Sequence, residues 1–537
     1  MLFSSILSLS LVTPFALAAT AADWRSRSIY QVVTDRFAKG KGEDDTTCDS
    51  SQRKYCGGTW QGITDNLDYI QQLGFDAVWI SPVVANLEGE TDYGEAYLGR
   101  WTQNISHVNE HFGSGDSLKE LSAALHKRDM YLMVELVVNN FALLPQNQTE
   151  DGSYDYSSLA PFNYADAFHP ECPIKDYSNQ TEVEECWLGN SKKLIMPDLD
   201  TGNSSNFRIM KDWAKDLIAQ FDVDGFMLSG AKHVSPAFWT DFVGATGIFA
   251  MGDVLTDNVT YAVDYSKALP GILDYPTWFP LIDAFSSSDG NFTAVVNSIE
   301  HSKELYGVGL YTSGSFIENP DQRRFPNVTT DESLILNAMT WPFVHNGIPI
   351  AYYGQEHGLY GGASPENHES LWSIGHNTYH AQYAQHFATL NGVRHLAIDS
   401  GKNFLTAPME FVPQVDKNAL AVSRPPLLGL LTNAGSNSSA QWTIPADTGL
   451  FQKGESLVDV LTCNYFEVDQ TSGDLAIQSD SGMPIVIIPS KLLDVEGKFC
   501  SALPTLHTAV TNNSPVSVRN VNTLSSIFAS ILALALI

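Results

Sequence analysis

Two stretches, FDAVWISPV (75–83) and MYLMVELVV (130–138), decide the fold. Each is a short apolar run rich in β-branched and aromatic residues, bounded by polar turns. Runs of that kind are strands buried on both faces, as in parallel sheets covered by helices. SLKELSAALHKRD (117–129) carries apolar residues at helical spacing and leads into the second run. Further out, short apolar runs alternate with amphipathic segments from Trp24 to about His395. Strand–helix units repeated at this length imply a parallel sheet, open or closed into a barrel, and periodicity does not choose between the two. Between about Asn140 and Asp200 the alternation breaks into a region rich in Tyr, Asn and Cys. A long irregular segment inside a compact domain is usually functional. From about Gly401 to Ala502, runs such as LLGLLTN (427–433) and PIVIIPS (484–490) predict an antiparallel β domain.

A chain of 537 residues suits one large domain plus an accessory one. With 44% apolar and 17% charged residues it can bury a sizeable core. Thirty basic against 61 acidic residues give a net charge of −31, which argues against nucleic acid as a partner because no basic stripe could follow phosphates. The same charge favours solubility in an acidic external medium.

Both ends carry targeting signals. Residues 1–18, MLFSSILSLSLVTPFALA, form an apolar run broken by Pro14 that ends in Ala16-Leu17-Ala18, the pattern of a cleaved secretory signal peptide. At the other end an apolar tail, Leu524 to Ile537, follows a polar spacer and the small residues Asn512, Asn513 and Ser514. That layout predicts GPI attachment at Asn512 or Asn513, with 513–537 removed as a propeptide and 506–512 left as a stalk. The expected location is outside the cell, on the outer face of the plasma membrane or in the cell wall, tied to the membrane by the lipid. Six cysteines in an exported chain point to disulfides. Sequence proximity suggests Cys48–Cys56, Cys172–Cys186 and Cys463–Cys500, and spacing leaves the other connectivities open. Sequons at Asn104, Asn147, Asn179, Asn203, Asn258, Asn291, Asn327 and Asn437 predict a glycosylated surface.

Five motifs carry a family resemblance: SIYQVVTDRF (28–37), YCGGTWQGI (55–63), PDLDT (197–201), DGFMLSGAKH (224–233) and AYYGQEHGLYGG (351–362). With them the chain resembles the secreted fungal alpha-amylases over nearly its whole length. The resemblance implies a (β/α)8 TIM barrel over 19–400, a small domain inserted after strand 3 at 140–200, and a C-terminal antiparallel β-sandwich over 401–505. It implies the same three disulfides, and an active site at the C-terminal ends of the barrel strands.

Retaining glycoside hydrolysis needs one carboxylate to attack the anomeric carbon and a second carboxylic acid to protonate the leaving oxygen. The resemblance places the nucleophile at Ser229 and its orienting arginine at Met227, so both are lost here. The acid position is Asp253, one methylene shorter than the family's glutamate. Asp321 keeps the third, transition-state-stabilising carboxylate, while Pro320 and Asn140 replace two sugar-holding histidines. Leu98 and Arg100 stand where the family has a histidine and a sugar-stacking tyrosine, and His368 stands in place of a substrate-binding arginine. Tyr93, Trp101, Asn140, Lys232 and His233 are the substrate-binding positions implied. The family's calcium site maps to the side chains of Asn139 and Asp198 and the carbonyls of Glu184 and His233, oxygen ligands that suit Ca²⁺.

A serine cannot attack without an adjacent base, and it falls short of a carboxylate's reach. The expectation is therefore a monomeric, GPI-anchored, amylase-like protein that binds alpha-glucan or maltooligosaccharide, or a partner from glucan synthesis, with little or no hydrolysis. The alternative is a weak or altered 1,4-alpha-glucan hydrolase or glucanotransferase, for which Asp253 and Asp321 leave room.

Overall fold

The computed structural model describes residues 19–42, 48–191, 193–374, 381–401 and 403–493. The expected signal peptide, stalk, attachment residues Asn512 and Asn513, apolar tail and Cys500 all lie outside the described residues.

Eight parallel strands form the central sheet: β1 (Ile29–Gln31), β2 (Ala77–Ile80), β3 (Tyr131–Val137), β4 (Gly225–Ser229), β5 (Phe249–Gly252), β6 (Gly271–Ile272), β7 (Gly314–Ser315) and β8 (Ile348–Tyr352). Neighbours in chain order pair in parallel from β1 to β6 and from β7 to β8, and β1 also pairs with β8. A bridge between Leu273 and Gly314 joins the β6 and β7 ends and closes the ring. The question periodicity left open is answered by a barrel.

The helices between strands form for local reasons. Ser114 caps Gly115–His126 by accepting from the Ser117 amide, and Leu118, Leu121 and Leu125 supply its buried face. Asn203 caps Ser204–Phe221, whose buried stripe runs through Met210, Trp213, Leu217 and Phe221. Inside the barrel, Trp79, Met133, Met227, Met251, Ile348 and Ile350 interlock, with Trp24 of the short N-terminal helix (Ala21–Trp24) in the same cluster. Trp24 donates its indole N–H to the Asp224 carbonyl at 3.1 Å. A Cβ on Gly225 would lie 2.6 Å from that indole, so β4 must begin with glycine.

After the barrel, a six-stranded antiparallel sheet runs from Glu410–Val412 through Ala419–Arg424, Leu427–Thr432, Ile485–Pro489 and Ser456–Asp459 to Tyr465–Glu467. A two-stranded antiparallel sheet of Ala440–Ile444 and Leu475–Ser479 shares a core with it, including Trp442, Leu430, Ile477 and Ile487. Cys48–Cys56 and Cys172–Cys186 are disulfide-bonded, and Cys463 is also in a disulfide. All eight sequon asparagines lie outside the buried set. Among the described residues no helix is long and apolar enough to cross a membrane.

Candidate active cleft

The cleft opens at the C-terminal ends of the barrel strands, where the loop after β2 does much of the building. Strands Val84–Asn86 and Thr102–Val108 pair as a hairpin and hold residues 87–101 over the barrel mouth. Asn86 accepts the Trp101 amide at 2.6 Å, and the Leu87 amide bonds the Trp101 carbonyl at 2.8 Å. Just before Trp101 the chain turns at Gly99, with φ +78° and a would-be Cβ 2.8 Å from the Pro82 carbonyl oxygen. Only glycine fits that turn. It is what presents Arg100 to the barrel.

Arg100 bridges two carboxylates. Its Nε donates to Glu135 Oε1 at 2.7 Å and its Nη1 to Asp321 Oδ1 at 2.6 Å. Trp79 Nε1 donates to the other Glu135 oxygen at 3.3 Å. The three charged side chains are only 17%, 4% and 12% exposed, for Arg100, Glu135 and Asp321 respectively. The paired carboxylates hold the guanidinium's pKa well above its usual value, although burial opposes them most strongly. Charge-assisted bonds this short are strong, and removing one member of such a group leaves a buried charge uncompensated.

Asp321 is fixed by its own loop. Its amide donates to Asn319 Oδ1 at 2.9 Å, and Asn319 Nδ2 donates to the Tyr275 hydroxyl at 2.8 Å. Asn367 donates to the Pro320 and Gln322 carbonyls, both at 2.8 Å. His368 closes the back, bonding the Pro320 carbonyl through Nε2 at 2.8 Å and the Tyr97 hydroxyl through Nδ1 at 2.7 Å. Fully buried, its imidazole is pushed down to about 3 and is neutral. Where the resemblance expects a cation for substrate, this chain has a neutral strut.

Ser229 ends β4, half-buried, and Gly230 turns the chain with φ +61° into the short turn Ala231–His233. Asp253 follows β5 and is 8% exposed, with one carboxyl oxygen lacking a partner. Burial pushes its pKa up to about 7, Asp321 adds to the rise, and Arg100 and Lys232 oppose it. A carboxylic acid that keeps its proton near neutrality is one requirement for a general acid.

Ser229, Asn139, Asn140, Asp321, Arg100, Tyr93 and Trp101 line one recess, with Leu98, Tyr97, Val137 and Met196. The recess holds about 90 Å³. At roughly 10–15 Å³ of such space per water, that is room for about six to nine waters. Trp101, 8% exposed, is buried in a small apolar cluster with Leu87, Leu194 and Met196, and the half-buried Tyr93 packs against that cluster. Lys232 and His233 are not among its lining residues. Lys232 is buried and donates to the Leu255 carbonyl at 3.1 Å. His233, neutral with its pKa pushed down to about 3 by burial, bonds the Val183 carbonyl at 2.9 Å and so ties the inserted region to the barrel.

The expected calcium residues also meet. Asn139 follows β3 and its carbonyl accepts the Leu199 amide at 2.7 Å, which brings Asp198 alongside. Asn139 Oδ1 and Asp198 Oδ1 are both buried without a hydrogen-bond partner. The other Asp198 oxygen bonds His169 Nδ1 at 2.7 Å, and burial pushes the Asp198 pKa up to about 7. Glu184 sits on the short helix Gln180–Glu185, and its carboxylate accepts from Gln180 at 2.6 Å. Among the described residues, His, Cys, Asp and Glu side chains alone form no metal cluster. A cation here would depend on the two orphaned oxygens and on carbonyls, a hard-oxygen set that fits Ca²⁺.

Glu135 is the residue that motif reading passed over. A single charge inside MYLMVELVV was the available signal, since a carboxylate in a strand buried on both faces must find a cation.

Comparison with known proteins follows the same lines. Residues 31–386 match the family described as Alpha amylase, catalytic domain, and residues 414–504 match Alpha-amylase, domain C. The chain is 38% identical to an alpha-amylase of Saccharomycopsis fibuligera, over 89% of this chain and 94% of that protein. It is 39% identical to Alpha-amylase 1 of Schwanniomyces occidentalis, over 90% and 93%. Among solved structures, an alpha-amylase from Malbranchea cinnamomea superposes with a TM-score of 0.84 at 38% identity, covering 89% of this chain and 99% of that one.

Proposed function

This chain belongs to the alpha-amylase family, and from that premise we propose that it is an alpha-glucan- or maltooligosaccharide-binding protein with little or no hydrolytic activity. The observation that carries the reading is Ser229 at the end of β4 together with Asp321 held by Arg100. The retaining route needs a carboxylate nucleophile opposite a carboxylic acid. Ser229 lacks the charge, and Asp321 is engaged by Arg100. In this reading Tyr93 offers an aromatic face to sugar, backed by the cluster that holds Trp101, with Asn140 lining the same recess. Asn139 and Asp198, with the carbonyls of Glu184 and His233, would hold Ca²⁺ and pin the inserted region to the barrel.

The same proposal places the mature protein, as a monomer, at the outer face of the plasma membrane or in the cell wall, through a GPI lipid at Asn512 or Asn513. The support is the sequence layout of both ends. A second reading, a weak or altered 1,4-alpha-glucan hydrolase or glucanotransferase, is favoured by Asp253, whose carboxyl keeps its proton up to about pH 7, and by relatives named as alpha-amylases. Purified protein incubated with maltooligosaccharides, with product analysis beside a binding titration, separates the two. Trapping a glycosyl adduct, or turnover that Asp253→Asn abolishes, would replace the first reading with the second.

A further inference from the structure

We propose that Arg100 is a built-in cationic plug: it supplies from the β2 loop the charge that β4 does not, and so bars sugar from the carboxylates at the centre of the cleft. The first half rests on register and burial. Glu135 of β3 is the direct ladder partner of Met227 of β4. Register partners in neighbouring strands point to the same face, and Met227 belongs to the apolar cluster inside the barrel with Trp79, Met133 and Met251. The position beside Glu135 that could have carried a compensating cation is thus apolar. A carboxylate 4% exposed in that setting requires a positive partner. Arg100 is that partner, arriving from 35 residues upstream through the turn at Gly99, and its second nitrogen secures Asp321 as well.

The second half follows from space and rests on the glucan-binding reading above. The guanidinium lies between Glu135 and Asp321 and takes one oxygen of each, and the Asp321 side chain is left only 12% exposed. In this proposal a sugar hydroxyl reaches the bonded Asp321 oxygen only by displacing Arg100. Any saccharide is therefore held off Asp321 and left to the rest of the lining, which includes Tyr93, Asn140 and Arg53.

The test is a charge transplant. Arg100→Ala and Met227→Arg are made singly and together, with melting temperature and maltotriose affinity measured for each. Each single change should lower the melting temperature, the first by leaving two carboxylates unpaired, the second by burying an extra guanidinium. The double variant should recover most of the loss, because the charge again lies beside Glu135. It should also bind maltotriose at least about tenfold more tightly than the unmodified protein, a change near 1.4 kcal/mol. If Arg100→Ala is not secreted in folded form, Arg100→Ala with Glu135→Gln and Asp321→Asn removes both demands for a cation and should fold with the cleft open. A double variant no more stable than the two losses combined predict would overturn the charge argument. A folded variant without Arg100 that binds maltotriose no better than the unmodified protein would overturn the plug. Saccharide binding that appears only once Arg100 is gone would support the plug while refuting glucan binding by the native protein.

Discussion

Replacing Asp253 by Asn should make the protein less sensitive to pH, in a direction that the structure fixes. Asp253 is 8% exposed, and its pKa is raised from 3.8 to about 7, first by burial and then by Asp321, against the pull of Arg100 and Lys232. Because the folded value lies above the unfolded one, the native state holds the proton more tightly. The stabilisation from that proton is complete below about pH 3.8 and is lost as pH rises towards 7. A shift of about 3 units at 1.36 kcal/mol each sets an upper bound of roughly 4 kcal/mol on the loss. Asparagine has the size of the neutral acid and never ionises, so the variant escapes that loss. Melting curves of both proteins at pH 4, 5.5 and 7.5 in the same buffers would read the effect, because every other buried carboxylate is common to the two. The two proteins should be nearly equal in stability at pH 4, and the variant should lead by on the order of 2–4 kcal/mol at pH 7.5. A gap that stays constant with pH, or that widens towards pH 4, would refute the buried, proton-holding state of Asp253.

Three further outcomes are expected. Excess chelator should lower the melting temperature, since a cation held by Asn139 and Asp198 binds only the folded chain; Asn139→Ala should erase most of that difference, and an unchanged curve for the native protein would count against these ligands. Ser229→Asp alone should yield no hydrolysis of maltooligosaccharides. Met227→Arg, Ser229→Asp, Asp253→Glu and Pro320→His should restore turnover only when Arg100→Tyr is added, because Arg100 otherwise keeps Asp321 paired; turnover by the single variant would contradict this. Deleting Leu524 to Ile537 should release the protein into the medium, and a truncated form that remained on the membrane would disprove the anchor.

The legible part of the molecule was the part written in contiguous sequence. FDAVWISPV and MYLMVELVV were readable as buried strands because side-chain burial on both faces of a strand leaves an uninterrupted apolar run. The departures at Ser229, Met227, Asp253 and Pro320 were readable because each sits inside an intact motif. Asn139 and Asp198 could be paired only through resemblance, being 59 positions apart along the chain, and the ladder contact between Asn140 and Asp198 now gives the physical link. The role of Arg100 was not legible. By sequence it was only a missing tyrosine, and Glu135 attracted no notice at all. Closure of the barrel brings Arg100 against Glu135, 35 residues away, and Asp321, 221 residues away. The sequence by itself determined that the strands make a parallel sheet, a local property of periodicity, and, through the resemblance, that a serine stands at position 229 where a carboxylate is expected. Only the tertiary structure decided what stands in the vacated cleft, because a buried carboxylate selects its cation by proximity in space, and nothing in residue order encodes that distance.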